Sequence, residues 1–247
     1  MTNNRKPLII AHRGAKGSAP ENTLGSFRLA MELGCDAIEL DVHLSKDGEI
    51  VVCHDFTLDR TTNGSGIIGD MTLAEIKRFD AGSWHSEAYR GETVPTLDEV
   101  FDLVPETIMI NVEVKHHYDG RLEQKLVALL NERGRLDSVV VSSFDHKSLC
   151  RIKRLEPKTR IGLLYSAKLV DPTAYARSFD CEVYSLHPQF SLLDKEDVEK
   201  AVANGLAVFP WTANEENDLR KLADYGVSGI ITDYPGRLRS LLYPGAN

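Results

Sequence analysis

Three carboxylates and two histidines occur at spacings that allow one shared site. Glu39 and Asp41 stand two residues apart in Ala37-Ile-Glu-Leu-Asp-Val-His-Leu-Ser45, and Glu113 and Lys115 repeat that spacing within Met109-Ile-Asn-Val-Glu-Val-Lys115. Alternate side chains of a strand share a face, so each pair projects to one side. Acids inside otherwise apolar strands cost free energy unless they are paired or bind a cation. Three converging carboxylates with no cysteine pair nearby form an all-oxygen donor set, which suits one hard divalent cation, Mg²⁺ or Ca²⁺. Salt bridges to Arg13 and Lys115 are the competing reading. His12 and His54 accompany these acids, and imidazole titrates nearest neutral pH, so the two could straddle a leaving group as acid and base. A structural role at a strand end is the alternative for each. Arg13 and Lys115 supply the positive charge that a phosphoryl oxygen requires.

The elements that must position these groups can be read around them. Asp47-Gly48 is a strong hairpin signal ahead of Ile50-Val51-Val52, so the chain is expected to fold back there. A two-residue turn pairs Lys46 with Glu49 and sets Asp41 opposite His54, with Cβ atoms ~5 Å apart. Strand-like and helix-like segments then alternate along the chain. The strands expected are Leu8–Ala11, Ala37–Ser45, Met109–Lys115, Ser138–Phe144, Arg160–Tyr165, Cys181–Leu186, Leu206–Trp211 and Gly229–Thr232, each followed by a helix. Eight such repeats favour an α/β fold of the closed (β/α)8 TIM-barrel type over an open doubly wound sheet. Thr96-Leu-Asp-Glu99 has capping-box spacing and predicts a helix through Val104. Phe56 to Pro95, rich in Gly and Thr, predicts a small insertion after the second strand, over about residues 56–95 of a single catalytic domain spanning 1–247. Gly14-Ala-Lys-Gly17 lacks the spacing of a dinucleotide fingerprint.

In such a barrel the C-terminal strand ends carry function. They bring His12, Arg13, His187, Trp211 and Asp233 into consideration beside the acids. Glu21 and Asn22 fall in the first strand-to-helix loop, where Asn22 is either a helix N-cap or, with Glu21, a substrate contact. His187-Pro188 is either a turn or part of the site. Trp211 is either core or an exposed aromatic at the barrel mouth.

Composition narrows the class. A formal charge of −8 over 247 residues argues against nucleic acid as a partner, because phosphate backbones are held by clustered Lys and Arg. No apolar run approaches the ~20 residues that span a bilayer, so no membrane insertion is expected. The N-terminal residues lack the apolar stretch of a secretory signal, which makes cytoplasmic residence the expectation. Cys35, Cys53, Cys150 and Cys181 show neither paired spacing nor disulfide density and are expected as reduced thiols. Oligomeric state is unknown from these residues.

Taken together, several motifs resemble one family. They are His12-Arg-Gly14, Pro20-Glu-Asn-Thr23, Glu39-Leu-Asp41, Lys46-Asp-Gly48 with His54-Asp55, Arg60-Thr-Thr62, Glu113-Val-Lys115 and Thr232-Asp-Tyr-Pro235. Their order and spacing are similar to those of the glycerophosphodiester phosphodiesterases, over nearly the whole chain. The resemblance implies that His12 and His54 are the catalytic pair and that Glu39, Asp41 and Glu113 bind the metal. It further implies that Arg13 and Lys115 hold the phosphate; Glu21, His187 and Trp211 stand beside them as further candidate substrate contacts. The implied reaction is metal-dependent hydrolysis of a small glycerophosphodiester, such as glycerophosphocholine or glycerophosphoethanolamine, to glycerol 3-phosphate and an alcohol. Two rivals are a phospholipase D-like activity on lysophospholipids and a binding protein without catalysis. An apolar entry groove would favour the first, and the intact histidine pair opposes the second.

Overall fold

Apolar runs flanked by helical segments form a parallel sheet because both of its faces can then be covered. In the computed structural model, which describes residues 6–245, the strands are β1 (Leu8–His12), β2 (Ala37–Leu44), β3 (Ile50–Val52), β4 (Met109–Val114), β5 (Val139–Ser143), β6 (Arg160–Tyr165), β7 (Ser185–Pro188), β8 (Ala207–Val208) and β9 (Gly229–Thr232). The helices are α1 (Leu24–Glu32), α2 (Leu73–Ile76), α3 (Leu97–Leu103), α4 (Arg121–Glu132), α5 (His146–Leu155), α6 (Pro172–Arg177), α7 (Lys195–Ala203), α8 (Glu216–Tyr225) and α9 (Pro235–Leu242). The parallel strands follow the order β8-β7-β6-β5-β4-β2-β1-β9, and β3 pairs antiparallel with β2.

Backbone bonds join the two ends of that order. Ser228 N–H donates to Val208 O at 3.0 Å, Ile231 N–H to Pro210 O at 3.0 Å, and Ala213 N–H to Ile231 O at 3.1 Å. Pro210 has no N–H to return, so the seam is irregular and β8 is shorter than the expected Leu206–Trp211. The result is a nearly closed (β/α)8 barrel. Residues 1–5, on which the reading of the N-terminus partly rests, and 246–247 of the expected domain lie outside the described residues.

Side chains alternate across the barrel wall. Ile9, Ala11, Ile38, Leu40 and Val42 pack outward against the helices, while Ile10, Ala37, Phe209 and Ile231 close the floor of the interior. Above that floor the interior is polar, with Glu39, Asp41, Asn111, Glu113, Ser185 and His187 all buried.

The hairpin departs from its expected register. Val42 pairs with Val52 and His43 with Val51, which places Asp41 level with Cys53 rather than His54. The turn is one residue longer than expected, with Gly48 N–H donating to Ser45 O at 3.0 Å and Gly48 at φ 86°. Such three-residue loops use a left-handed residue, a conformation glycine reaches without a Cβ clash. The sixth barrel strand also starts later than the expected Cys181. Its ladder begins only where Ser185 comes level with Gly162, and residues 181–184 climb to the barrel from α6.

After β3 the chain builds a small layer of its own, packing Val51, Cys53, Leu58, Ile68, Ile76, Ala81 and Val94. Its helix α2 begins in a capping box, Thr72 with Glu75, and the expected box at Thr96 and Glu99 opens α3. Cys35 and Cys53 are buried thiols, each pushed up to about 12 by burial. No helix among the described residues is long and apolar enough to cross a membrane.

Candidate active site

The carboxylate cluster follows directly from register. β1, β2 and β4 are neighbours with His12 level with Glu39, Glu39 with Asn111, and Asp41 with Glu113. Glu39, Asp41 and Glu113 each offer an oxygen within 4.8 Å of the others, and all three residues are buried. Burial, then the charges of Asp41 and Glu113, pushes the Glu39 carboxyl well above its usual range. Burial and Asp41 likewise push Glu113 up to about 7. For Asp41, burial works against the charge, but Arg13 and Lys115 outweigh it and hold the carboxyl at about 2.

The cluster therefore keeps its full negative charge only if a cation joins it. Asp41 Oδ1 is buried and accepts no hydrogen bond from the described residues; Lys115 Nζ stands 3.4 Å away. An orphaned carboxylate oxygen amid three acids, with oxygen donors only, fits a hard divalent cation. Asn111 lines the same cavity with an equally unpartnered, buried Oδ1.

The surrounding cations hold this arrangement open. Arg13 has φ 52°, a left-handed conformation that costs of order 1–3 kcal/mol in a non-glycine residue. In return its N–H donates to Glu39 Oε2 at 3.1 Å, Nε stands 3.3 Å from Asp41, and a terminal nitrogen donates to Glu21 at 2.8 Å. Lys115 Nζ donates to Glu113 at 2.8 Å.

Each histidine has its own carboxylate. His12 Nδ1 lies 2.6 Å from Asp233 Oδ1, and His54 Nδ1 lies 2.6 Å from Asp55 Oδ1. A carboxylate beside Nδ1 accepts a hydrogen bond from its N–H and fixes the tautomer, which leaves Nε2 for chemistry. Burial lowers both imidazoles and outweighs the opposing pull of the acids. Asp233 is itself fixed by Asn214, which donates from its side-chain nitrogen at 2.9 Å and accepts from the Asp233 N–H at 2.9 Å. Tyr118 O–H lies 2.8 Å from His43 Nδ1, and His43 Nε2 lies 3.2 Å from the His54 carbonyl. Burial brings His43 down to about 4, so it stays neutral and supports the His54 backbone.

These groups meet in one cavity of about 110 Å³. Its lining combines the polar His12, Arg13, Glu39, His54, Asn111, Glu113 and Lys115 with Phe144, Leu164, Trp211, Thr212 and Ile231. Asp41 lies beneath. A larger hollow of about 390 Å³ opens among Lys6, Leu8, Tyr184 and Phe209, toward the other end of the strands, but its lining holds neither histidine nor carboxylate. The chemistry therefore belongs to the smaller cavity.

Three expected contacts are placed differently. His187 is fully buried, 2.8 Å from Ser185 Oγ and edge-on to Phe209, and burial brings it down to about 3. It does not line the cavity; it fills space vacated by Gly162, where a Cβ would come within 2.3 Å of the ring. Glu21 does not line the cavity either, since both of its oxygens are taken by Arg13 and Arg60. Asn22 is not the N-cap of α1; Thr23 is, accepting from Ser26 N–H. Asn22 instead has φ 57° and donates to Asp41 Oδ2 at 2.9 Å. Trp211 lines the cavity, crossing Phe144 edge to face and donating from Nε1 to His187 O at 2.7 Å.

Sequence reasoning gave no role to Asp55, Asp233, Asn214 or Arg60. Asp55, Arg60 and Asp233 lay within the motifs, but only closure of the barrel sets Asp233 against His12, 221 residues away.

The sequence profile of the glycerophosphoryl diester phosphodiesterase family matches residues 12–237. A glycerophosphodiester phosphodiesterase of Caldanaerobacter subterraneus subsp. tengcongensis is 46% identical, with 97% of this chain and 99% of that protein covered. One from Bacillus subtilis is 38% identical over 92% of this chain and 84% of its own length. Among solved structures, an Oleispira antarctica phosphodiesterase in complex with the product sn-glycerol-3-phosphate superposes with a TM-score of 0.86 at 36% identity, covering 96% of this chain and 97% of that one.

Proposed function

The chain belongs to the glycerophosphoryl diester phosphodiesterase family and is an enzyme that cleaves glycerophosphodiesters, and from that premise we propose that it hydrolyses small, water-soluble diesters through His12 and His54. One observation carries this reading. Both imidazoles have Nδ1 bonded at 2.6 Å to a carboxylate while lining the same small cavity as the acid cluster. The products are glycerol 3-phosphate and a free alcohol, such as choline or ethanolamine; the product held by the Oleispira antarctica relative supports the first.

Glu39, Asp41 and Glu113 would hold one divalent cation of the Mg²⁺ or Ca²⁺ class. Such an ion supplies positive charge to a phosphoryl oxygen. Arg13 and Lys115 orient the phosphate, and Trp211 and Phe144 face the glycerol carbons. His12 takes the proton of the attacking oxygen on Nε2, and His54, entering the cycle with a solvent proton on Nε2, gives that proton to the departing alkoxide; the proton held by His12 then returns to solvent.

The test is hydrolysis of glycerophosphocholine with and without EDTA, reading glycerol 3-phosphate. His12→Ala and His54→Ala are each expected to lower kcat by about 10²–10⁴-fold. Full activity in the chelated wild type would sink the metal assignment, and full activity in either alanine variant would sink that histidine.

A further inference from the structure

Arg60 lies outside the cavity, yet it touches the supports of two groups that line it. Its Nε donates to Asp55 Oδ2 at 2.7 Å and one terminal nitrogen to Asp55 Oδ1 at 3.2 Å. On its other edge it donates to Glu21 Oε2 at 2.9 Å and Glu21 Oε1 at 2.8 Å. Asp55 is the carboxylate on His54 Nδ1, and Glu21 is the acceptor of Arg13. An unbroken chain of charged hydrogen bonds thus runs His54, Asp55, Arg60, Glu21, Arg13.

We propose that Arg60 is a positioning residue that locks His54 and Arg13 to one another through a single guanidinium shared by Asp55 and Glu21.

The three contributing segments come from different parts of the fold. Glu21 sits in the β1–α1 loop, Asp55 just past β3, and Arg60 in the layer that follows. Among the described residues Arg60 is the one side chain that bonds both Glu21 and Asp55, and a planar fork with donors on two edges suits that task. Lysine offers a point charge and cannot serve both carboxylates in that geometry. Glu21 responds accordingly: burial works against its charge, yet Arg60 and Arg13 hold it at about 2. This inference rests on the roles proposed above for His54 and Arg13.

Separate variants distinguish the two arms. With saturating divalent cation and glycerophosphocholine, Asp55→Asn is expected to lower chiefly kcat and Glu21→Gln to raise chiefly KM. Arg60→Ala is expected to do both, each by about 10- to 100-fold, the range found when an outer partner of a site residue is removed. Placed in the Arg60→Ala background, Asp55→Asn and Glu21→Gln should each add less than about threefold, because the coupling is already gone. The Arg60 side chain is 45% exposed, so its vacated space opens to solvent. Added guanidinium ion should therefore restore activity to Arg60→Ala, which no purely structural role predicts, and Arg60→Lys should not recover both parameters.

Wild-type kinetics in Arg60→Ala, full additivity of the double variants, or no gain from guanidinium in a folded variant each overturn the proposal. If Arg60→Ala does not fold, Arg60→Lys carries the same comparison of kcat and KM, and a change in neither overturns it. His54→Ala separates the two levels: if it is fully active, the catalytic reading falls. If it is inactive while Arg60→Ala behaves as wild type, only the coupling falls.

Discussion

The two imidazoles differ from ordinary surface histidines because each is tied at Nδ1 to an acid that is itself held. Asp233 leans on Asn214, so replacing it with an amide keeps the shape but removes the acceptor charge. Asp233→Asn is expected to lower kcat by about 10²–10⁴-fold with little change in melting temperature, through loss of the correct His12 tautomer. Steady-state kinetics beside thermal melting measures this, and unchanged kcat would dismiss the role. The acid cluster has a pH signature of its own. Burial and Asp41 raise Glu113 from 4.5 to about 7 in the cation-free chain. A group raised in the folded state gives its full stabilisation below its unfolded pKa and loses it as pH rises through the folded value. Cation-free protein should therefore lose this increment between 4.5 and about 7, and Glu113→Gln should not. Denaturant melts of both proteins in EDTA, from about pH 5 to about pH 8, read the difference. Parallel curves would mean that Glu113 is not the group titrating.

At the scale of elements, positions that bear no chemistry decide where the chemistry stands. Gly162 on β6 leaves the space into which His187 of β7 turns, and an added Cβ would also come within 2.8 Å of Ser185 Oγ. Gly162→Ala is expected to destabilise the fold by about 1–3 kcal/mol through overpacking. KM should stay near wild type, because His187 does not line the cavity. Chemical denaturation together with KM checks both halves, and a raised KM at unchanged stability would return His187 to the site. The hairpin makes the same point. A two-residue turn and a three-residue turn share the Asp47-Gly48 signal, and one added residue moved the partner of Asp41 from His54 to Cys53. His54 still reaches the cavity because it lies past the end of β3, where its position is set by His43 and Asp55 rather than by the ladder.

For the whole molecule, the acid cluster ties β2 to β4 in the centre of the barrel, so an ion bound there acts on global stability. A cation present at about 100 times its Kd adds about 2.7 kcal/mol, or roughly 5–10 °C in Tm for a chain of this size. Scanning melts with EDTA and with added Mg²⁺ or Ca²⁺ test it, and identical Tm values would exclude a bound ion. A cavity of about 110 Å³ and a net charge of −8 also set the substrate scale. Glycerophosphocholine should turn over far faster than a long-chain lysophospholipid, and equal rates would move the assignment toward lipid substrates. Much of this was legible in the sequence. The alternation of strands and helices, the i, i+2 acids and the strand-end histidines are local patterns, and local pattern determines which face a side chain takes. It determined the barrel, put Glu39, Asp41 and Glu113 on one face of their strands and His12 at a strand end, and set His54 opposite Asp41, a register the hairpin does not keep. Tertiary structure alone decided which groups those residues lean on. Asp233 meets His12 only when β9 closes beside β1, Arg60 meets Glu21 only when the layer after β3 docks on the first loop, and His187 is withdrawn from the cavity by a glycine on another strand. Contacts between residues far apart in the chain depend on the closure of the barrel, and no spacing within a single segment encodes them.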